Sequence, residues 1–121
     1  MSYNRKDKFM AKEKSFENQI KRWLESQGIY KLGTSANKMT VAPCGYYEKR
    51  LGSAMTGAGK PDLLVVVKGR ALEFEIKCET GRPSELQIYI ISQINKSGGF
   101  ATLVYPKDFE KFKAYIMELK K

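Results

Sequence analysis

The chain has 121 residues, with 22 lysines and arginines against 13 aspartates and glutamates, so its formal net charge is +9. This length predicts one domain, and 42% apolar with 29% charged residues is typical of a globular protein without a transmembrane helix or signal peptide. The chain contains no histidine, which excludes the Ser-His-Asp and Cys-His nucleophile schemes and the usual zinc hydrolases.

The first predicted helix follows a charged segment. Residues 1–14 lack a clean apolar period, and we expect a basic lead-in that is frayed or loosely helical. Ser15 is a typical N-cap. One helical stripe then extends to about Gln27, and its apolar residues are Phe16, Ile20, Trp23 and Leu24. Gly28 then predicts the end of the helix.

A short strand is predicted over residues 29–32 and a long loop over residues 33–59. The loop segment is rich in glycine and small polar residues, and it could contain a hairpin around Pro43, Cys44 and Gly45. Long loops in compact domains are often functional.

Two strands joined by a tight turn form the predicted centre of the domain. Residues 62–67 are nearly all apolar, as expected of a strand buried on both faces. Lys68-Gly69-Arg70 makes the turn, and residues 71–78 alternate between apolar and charged. The apolar face holds Leu72, Phe74, Ile76 and Cys78, and the charged face holds Glu73, Glu75 and Lys77.

The last third of the chain predicts a helix, a strand and a helix. Ser84 and Gln87 form a capping box, and Gly98-Gly99 ends that helix. A strand over residues 100–105 leads to a final helix capped by Asp108. The expected inward-facing residues are Leu86, Ile90, Ile91 and Ile94 in the first helix and Phe109, Phe112, Ile116 and Leu119 in the second. The predicted order, α-β-β-β-α-β-α, indicates an α/β domain with a mixed central sheet flanked by helices.

The charged face has the composition of a metal site. Counting outward from Gly69 brings Asp62 and Glu75 within one or two residues of register, so their carboxylates could converge at one sheet edge. Two close carboxylates repel unless they share a proton or a cation, and hard oxygen ligands suit Mg²⁺ or Mn²⁺. The carbonyl of Ile76 could add a further ligand, and Lys77 lies roughly 7 Å along the same face, where it could contact a phosphate. The alternative is that Glu75 and Lys77 belong to an ordinary solvated face.

These residues resemble a known family of nucleases. The sequence from Gly59 to Asp62, followed by Glu75-Ile76-Lys77, resembles the PD-(D/E)XK signature, and residues 81–87, GRPSELQ, resemble its VRR-NUC branch. The resemblance covers about residues 15–116. It implies a restriction-endonuclease-like αβββαβ core with an extra C-terminal helix.

The resemblance also implies roles for individual residues. Asp62 and Glu75 would bind the metal with help from the Ile76 carbonyl, and Lys77 would be the catalytic lysine. Gln87 matches an active-site glutamine of the family, although its capping-box position explains it by helix chemistry alone. Glu17 matches an acid of the first helix that completes the site, although an acid in a first helical turn also complements the helix dipole.

The family resemblance and the charge of +9 both point towards nucleic acid. Residues 1–60 hold 12 basic and 5 acidic residues, so most of the positive charge precedes the motif, although a basic surface can also serve solubility alone. The segment 33–59 is longer than the corresponding family linker. Its tyrosines, Tyr46 and Tyr47, could stack on unpaired bases or could pack back on the domain. The candidate DNA contacts are Lys38, Lys49, Arg50, Lys60 and Arg82.

The function expected from the sequence is a metal-dependent DNA endonuclease that uses Mg²⁺ or Mn²⁺. Family members of this size resemble Holliday-junction resolvases, which implies branched DNA as substrate, a homodimer, and a cytoplasmic setting in a bacterium or through a phage gene. Two alternatives stay open: a basic nucleic-acid-binding module with a vestigial nuclease site, and a flap or nicking nuclease.

Overall fold

The computed structural model describes residues 5–50 and 58–121. In these ranges the chain forms three α-helices and five β-strands, with two short 3₁₀ turns at Ala36–Lys38 and Pro106–Asp108. In chain order the elements are α1 (Arg5–Ser26), β1 (Ile29–Lys31), β2 (Gly45–Lys49), β3 (Leu63–Val67), β4 (Arg70–Ile76), α2 (Glu85–Lys96), β5 (Ala101–Val104) and α3 (Phe109–Lys120).

All five strands belong to one mixed sheet, in which they lie in sequence order. Strands β2, β3 and β4 form an antiparallel meander, with Leu63 opposite Lys49 on one side and Phe74 on the other. The two edge strands, β1 and β5, run parallel to their neighbours β2 and β4. The predicted α/β class with a mixed sheet flanked by helices is therefore confirmed.

Strand β2 lies where the sequence predicted a loop. Because β2 runs parallel to β1, the hairpin expected around Pro43–Gly45 is wrong, and the domain has one more strand than predicted. Its sequence, GYYEK, begins with glycine and ends with two charges, so no apolar alternation marks it. Pairing on both sides stabilises it instead, and Tyr47 is buried beneath it. Residues 51–57 of the predicted loop lie outside the described part of the chain.

Helix α1 begins a full ten residues before the predicted cap. Ser15 lies in the helix interior. The lead-in, which was expected to be frayed or loosely helical, is helical from Arg5 onward, while residues 1–4 lie outside the described ranges. The segment contains Lys, Ala, Met and Glu, which favour helix even without an apolar stripe. The predicted end is confirmed, because Gly28 adopts φ +83° directly after the helix.

The core lies between the sheet and helices α1 and α3, which pack side by side on one of its faces. From α1 it receives Phe16, Ile20 and Leu24, all of which the sequence predicted to face inward. Phe112 of α3 packs edge-on against Phe74 of β4, with ring centroids 4.7 Å apart. The remaining core residues come mainly from the strands: Ile29, Tyr47, Leu63, Val65, Val67, Leu72, Ile76, Val104 and, from α3, Ile116.

Helix α2 is less buried than its sequence predicts. It packs mainly against the edge strand β5, and none of its residues is fully buried. Leu86, which we expected in a buried stripe, is 47% exposed, and Ile90, Ile91 and Ile94 are half-buried. Strand β5 covers only part of the apolar stripe, so the prediction that these four residues are buried is wrong for Leu86 and only partly met by the other three.

Within the described ranges, no helix combines the length and the apolar composition needed to cross a bilayer.

Candidate active site

The carboxylates of Asp62 and Glu75 meet at one end of the sheet. Leu63 pairs with Phe74, so the next step of the register sets Asp62 opposite Glu75, as the count from Gly69 predicted. Glu75 follows Phe74 in β4, so its side chain lies on the opposite face of the sheet. The β3–β4 turn lies at the opposite end of the same two strands.

Glu75 and Lys77 do not form a solvated face. Glu75 is only 5% exposed, and the Lys77 side chain is 13% exposed with its Nζ 3.5 Å from Glu75 Oε2. Burial, followed by the charge of Asp62, raises the pKa of Glu75 to about 7, against the opposing effect of Lys77. Oε1 of Glu75 is buried without a hydrogen-bond partner among the described residues. An unpartnered buried carboxylate oxygen is costly, and it needs a proton or a cation.

Both oxygens of Asp62 have partners. Oδ1 accepts a hydrogen bond of 3.1 Å from the backbone N–H of Ile76. Oδ2 lies 2.9 Å from Nζ of Lys49, which arrives from the end of β2. The Ile76 contact connects the residue before β3 to the end of β4 and fixes the Asp62 carboxylate there. Whether the Ile76 carbonyl binds a metal stays a prediction.

Gln87 both caps helix α2 and contacts Glu75, while its role as an active-site glutamine stays a prediction. Its Oε1 accepts from the backbone N–H of Ser84 at 2.9 Å, and its own backbone N–H donates to Ser84 Oγ, which completes the predicted capping box. Its Nε2 donates to Glu75 Oε2 at 3.2 Å. The two functions are compatible because an amide carries an acceptor and donors on different atoms. The N-terminus of α2 is thereby connected to the site.

Glu17 is held by lysines. Its Oε1 lies 2.8 Å from Lys49, and its Oε2 lies 2.9 Å from both Lys14 and Lys21. Burial alone would raise the pKa of Glu17, but hydrogen bonds from these three lysines lower it to about 2. The helix-dipole explanation is wrong, because Glu17 lies in the interior of α1 and not in its first turn.

Glu13 is a residue of this region that the sequence interpretation missed. Its Oε1 is buried without a partner among the described residues, and the backbone N–H of Cys78 donates to its carboxylate. Burial raises its pKa, while the nearby charges of Lys77 and Asp62 act in opposite directions. Glu13 and Glu17 are four residues apart on one helix face. That spacing could have revealed Glu13 had the helix been predicted to begin earlier.

The predicted DNA contacts divide into two groups. Lys49 and Arg50 are partly buried in ion pairs, Lys49 with Glu17 and Asp62, and Arg50 with Glu73. Lys38, Lys60 and Arg82 are exposed. Arg82 lines an open cleft of about 1110 Å³ beside the site, together with Tyr105 and Lys107.

The two tyrosines of β2 have different environments. Tyr47 is 2% exposed, and its hydroxyl donates to Glu25 of α1 at 2.6 Å, so it packs into the domain. Tyr46 points to the other side of the sheet and is half-buried. Base stacking is therefore excluded for Tyr47 in this structure.

The residues fit a divalent cation held by few protein ligands. Across residues 5–50 and 58–121, no group of three or more carboxylate or thiol side chains is arranged to hold a metal ion alone. Asp62 and Glu75 supply two, and the unpartnered Oε1 of Glu75 supplies a free acceptor atom. Mg²⁺ usually keeps several waters and takes only one or two carboxylates, so this donor set suits it.

Comparison with known proteins gives no relatives: no family model matches the chain, and no curated protein or solved structure does so either.

Proposed function

We propose that this protein is a metal-dependent endonuclease that hydrolyses phosphodiester bonds of DNA with Mg²⁺ or Mn²⁺. The observation that carries the proposal is the part-buried cluster of Asp62, Glu75 and Lys77, in which one carboxylate oxygen has no partner. A structural ion pair alone would not require two carboxylates facing each other with one oxygen unpaired.

The residues of the cluster have complementary tasks in such a reaction. Asp62 and Glu75, with the Ile76 carbonyl, would hold the ion, and Gln87 and the Ile76 N–H orient the two carboxylates. The bound ion would supply Lewis acidity and an activated water. The Lys77 ammonium lies beside Glu75, where it can neutralise charge that develops on a phosphate oxygen.

The finer fold assignment belongs to the same proposal. We infer a restriction-endonuclease-like core, in which the meander β2–β3–β4, helix α2 and the parallel strand β5 follow α1 in the αβββαβ order. In this assignment β2, and not β1 as the sequence suggested, is the first core strand, and α3 is the added C-terminal helix. The resemblance of Gly59–Asp62, Glu75–Lys77 and residues 81–87 to VRR-NUC nucleases supports it.

The substrate that we propose is branched DNA such as a Holliday junction. Two subunits acting as a homodimer would cut its two strands, in the cytoplasm of a bacterium or of a phage-infected cell. The net charge of +9 supports a polyanionic partner, and the exposed Lys38, Lys60 and Arg82 are the available phosphate contacts. The half-covered apolar stripe of α2 leaves surface that a second subunit could bury.

A substrate panel tests the proposal. Labelled four-way junction, flap, duplex and single-stranded DNA are incubated with the protein in Mg²⁺, Mn²⁺ or EDTA, beside Lys77→Ala and the control Lys96→Ala. Lys96 lies at the far end of α2 from Gln87, so the control removes the same charge about 14 Å along the helix. We expect metal-dependent cleavage that Lys77→Ala abolishes and Lys96→Ala preserves.

Two other results would change the proposal. Binding without cleavage in every metal would replace the proposal with a basic binding module whose nuclease site is vestigial. Cleavage of flaps or nicked duplex in preference to junctions would keep the chemistry and change the substrate.

A further inference from the structure

Lys49 occupies the position of a cation in the candidate site. Its Nζ lies between two carboxylates, 2.8 Å from Oε1 of Glu17 and 2.9 Å from Oδ2 of Asp62. The side chain is 25% exposed. Burial alone would lower the pKa of Lys49, but Glu17 and Asp62 raise it above its usual value, so the side chain is a cation at neutral pH.

The position of this ammonium conflicts with a metal ion on the same carboxylate. Oδ1 of Asp62 already accepts the Ile76 N–H, so an ion that binds this carboxylate through Oδ2 must share that oxygen with Lys49. Two cations within about 4 Å of each other repel by several kcal/mol at the effective dielectric of a protein surface. Entry of a divalent ion therefore requires the Lys49–Asp62 contact to open.

Glu17 provides the means for Lys49 to move without being released into solvent. Among residues 5–50 and 58–121, Oε1 of Glu17 pairs with Lys49 alone, while Oε2 pairs with Lys14 and Lys21. Lys49 can therefore give up Asp62 and keep its other ion pair. The same three lysines neutralise Glu17, which makes it a poor candidate for a metal ligand.

We propose that Lys49 is a displaceable counter-ion of Asp62, and that Glu17 positions it by retaining the ammonium when a divalent cation binds. This inference rests on the proposed function, because it assumes that Asp62 is a metal ligand. It assigns Lys49 and Glu17 as positioning residues that set the affinity of the site for the ion. It also replaces the roles that the sequence predicted for them, a DNA contact and a ligand.

The test is calorimetric titration of Mn²⁺ into the protein without DNA. Lys49→Met should bind Mn²⁺ about tenfold more tightly than the wild type, a typical size for coupling between two sites. The matched control is Lys21→Met, which removes another lysine of Glu17 but no contact to Asp62. Its Mn²⁺ affinity should stay within about twofold of the wild type, since it leaves the Lys49–Asp62 pair intact.

Glu17→Gln should strengthen the Lys49–Asp62 contact, which Lys49→Met removes. Without the Glu17 charge, Lys49 should bind Asp62 more firmly, and Mn²⁺ affinity should fall. In the Lys49→Met background, Glu17→Gln should have little effect, because its route of action is gone. An equal loss in both backgrounds would mean that Glu17 binds the ion itself, which would overturn the role assigned here.

The remaining outcomes separate this inference from the proposed function. Equal Mn²⁺ affinity in wild type and Lys49→Met, with both folded by circular dichroism, overturns the counter-ion role and leaves the nuclease proposal intact. Absence of Mn²⁺ binding in every folded variant overturns both. If Lys49→Met does not fold, Lys49→Gln replaces it, because its amide can still bond Glu17 without carrying charge.

Discussion

At the scale of single residues, Gln87 shows how one side chain can serve both a helix and a site. Its acceptor atom caps α2 through Ser84, and its donor atom binds Glu75. The sequence alone set these functions against each other, because a motif identifies a residue type and not the separate atoms that it offers. The structure makes the two functions separable by mutation.

Ser84→Ala and Gln87→Ala should have different consequences for activity. Ser84→Ala removes the N-cap and should cost about 1 kcal/mol of stability, with cleavage nearly unchanged below the melting transition. Gln87→Ala removes the bond to Glu75 as well, so its cleavage rate should fall at least tenfold. Urea denaturation and single-turnover cleavage measure the two effects. Equal cleavage rates for both variants would show that the Glu75 contact has no catalytic importance.

The stability of the folded protein in acid is a second property that depends on a single residue, Glu17. Because the folded protein lowers the pKa of Glu17 to about 2, from an ordinary value of 4.5, folding favours the ionised form. Its contribution is present in full above pH 4.5 and is lost as the pH falls towards 2. The shift corresponds to about 3 kcal/mol at most.

Glu17→Gln should therefore flatten the loss of stability between pH 4.5 and pH 2. The measurement is the free energy of unfolding in urea across this pH range, with EDTA present. Glu110→Gln is the control, since Glu110 is exposed and its ion pair is the surface contact with Lys113. If the free energy of unfolding of Glu17→Gln falls with pH as steeply as that of the wild type, the three lysines do not stabilise the ionised form of Glu17.

At the scale of secondary-structure elements, strand β2 was the hardest to predict. Helix α3, strand β4, the C-terminal end of α1 and both ends of α2 follow from apolar period and capping residues, which are local signals. Strand β2 has neither signal, because pairing on both sides stabilises it and its sequence carries charge for the site. Because β2 was not predicted, Lys49 was assigned to a loop and not to the candidate site.

The bond between Tyr47 and Glu25 fastens β2 to α1. Tyr47→Phe should lower the free energy of unfolding by about 1.5 kcal/mol, because a buried hydrogen bond to a charged group is lost. Tyr46→Phe, on the other side of the same strand, should change it by less than about 0.5 kcal/mol. Urea melts compare the two variants, and similar losses would show that the hydroxyl bond contributes little.

The end of α1 depends on a glycine for two reasons. Gly28 has φ +83°, and a Cβ built there would lie 2.3 Å from the Ala42 carbonyl oxygen. Gly28→Ala should cost about 3 kcal/mol or more, since backbone must move in addition to adopting a left-handed conformation. Gly69 has φ +79° with open space around it, so Gly69→Ala should cost only about 1 kcal/mol. Thermal denaturation compares the two variants. A larger loss of stability in Gly69→Ala than in Gly28→Ala would show that the Ala42 carbonyl does not restrict position 28.

At the scale of the whole molecule, the net charge of +9 predicts binding that depends strongly on salt. Removing one exposed phosphate contact, as in Lys60→Gln or Arg82→Gln, should reduce the slope of log K against log salt by about 1. Lys121→Gln, at an exposed position in the ion pair with Glu118, should leave the slope unchanged. Titration of labelled DNA in EDTA at several salt concentrations gives the three slopes.

The sequence predicted the α/β class, the opposition of Asp62 and Glu75 and the helical faces of α1 and α3. Local pattern was sufficient for these features. Apolar spacing marks the helical faces, and a tight turn fixes the register of the strands on either side of it, which sets Asp62 opposite Glu75. It did not predict that Lys49 and Glu13 approach the site, since both depend on how α1 and β2 lie against the sheet. Contacts between distant segments leave little trace in a single sequence.

The tight turn between β3 and β4 lies about 20 Å from the carboxylates, because Glu75 is six residues from Gly69 along the extended strand β4. Chain inserted at this turn would emerge away from any bound DNA. A dye, a surface tether or a second protein could therefore be attached beside Gly69 while the opposite end stays free. The β3–β4 turn is therefore a suitable attachment point for single-molecule experiments, because an immobilised copy would keep the candidate site exposed.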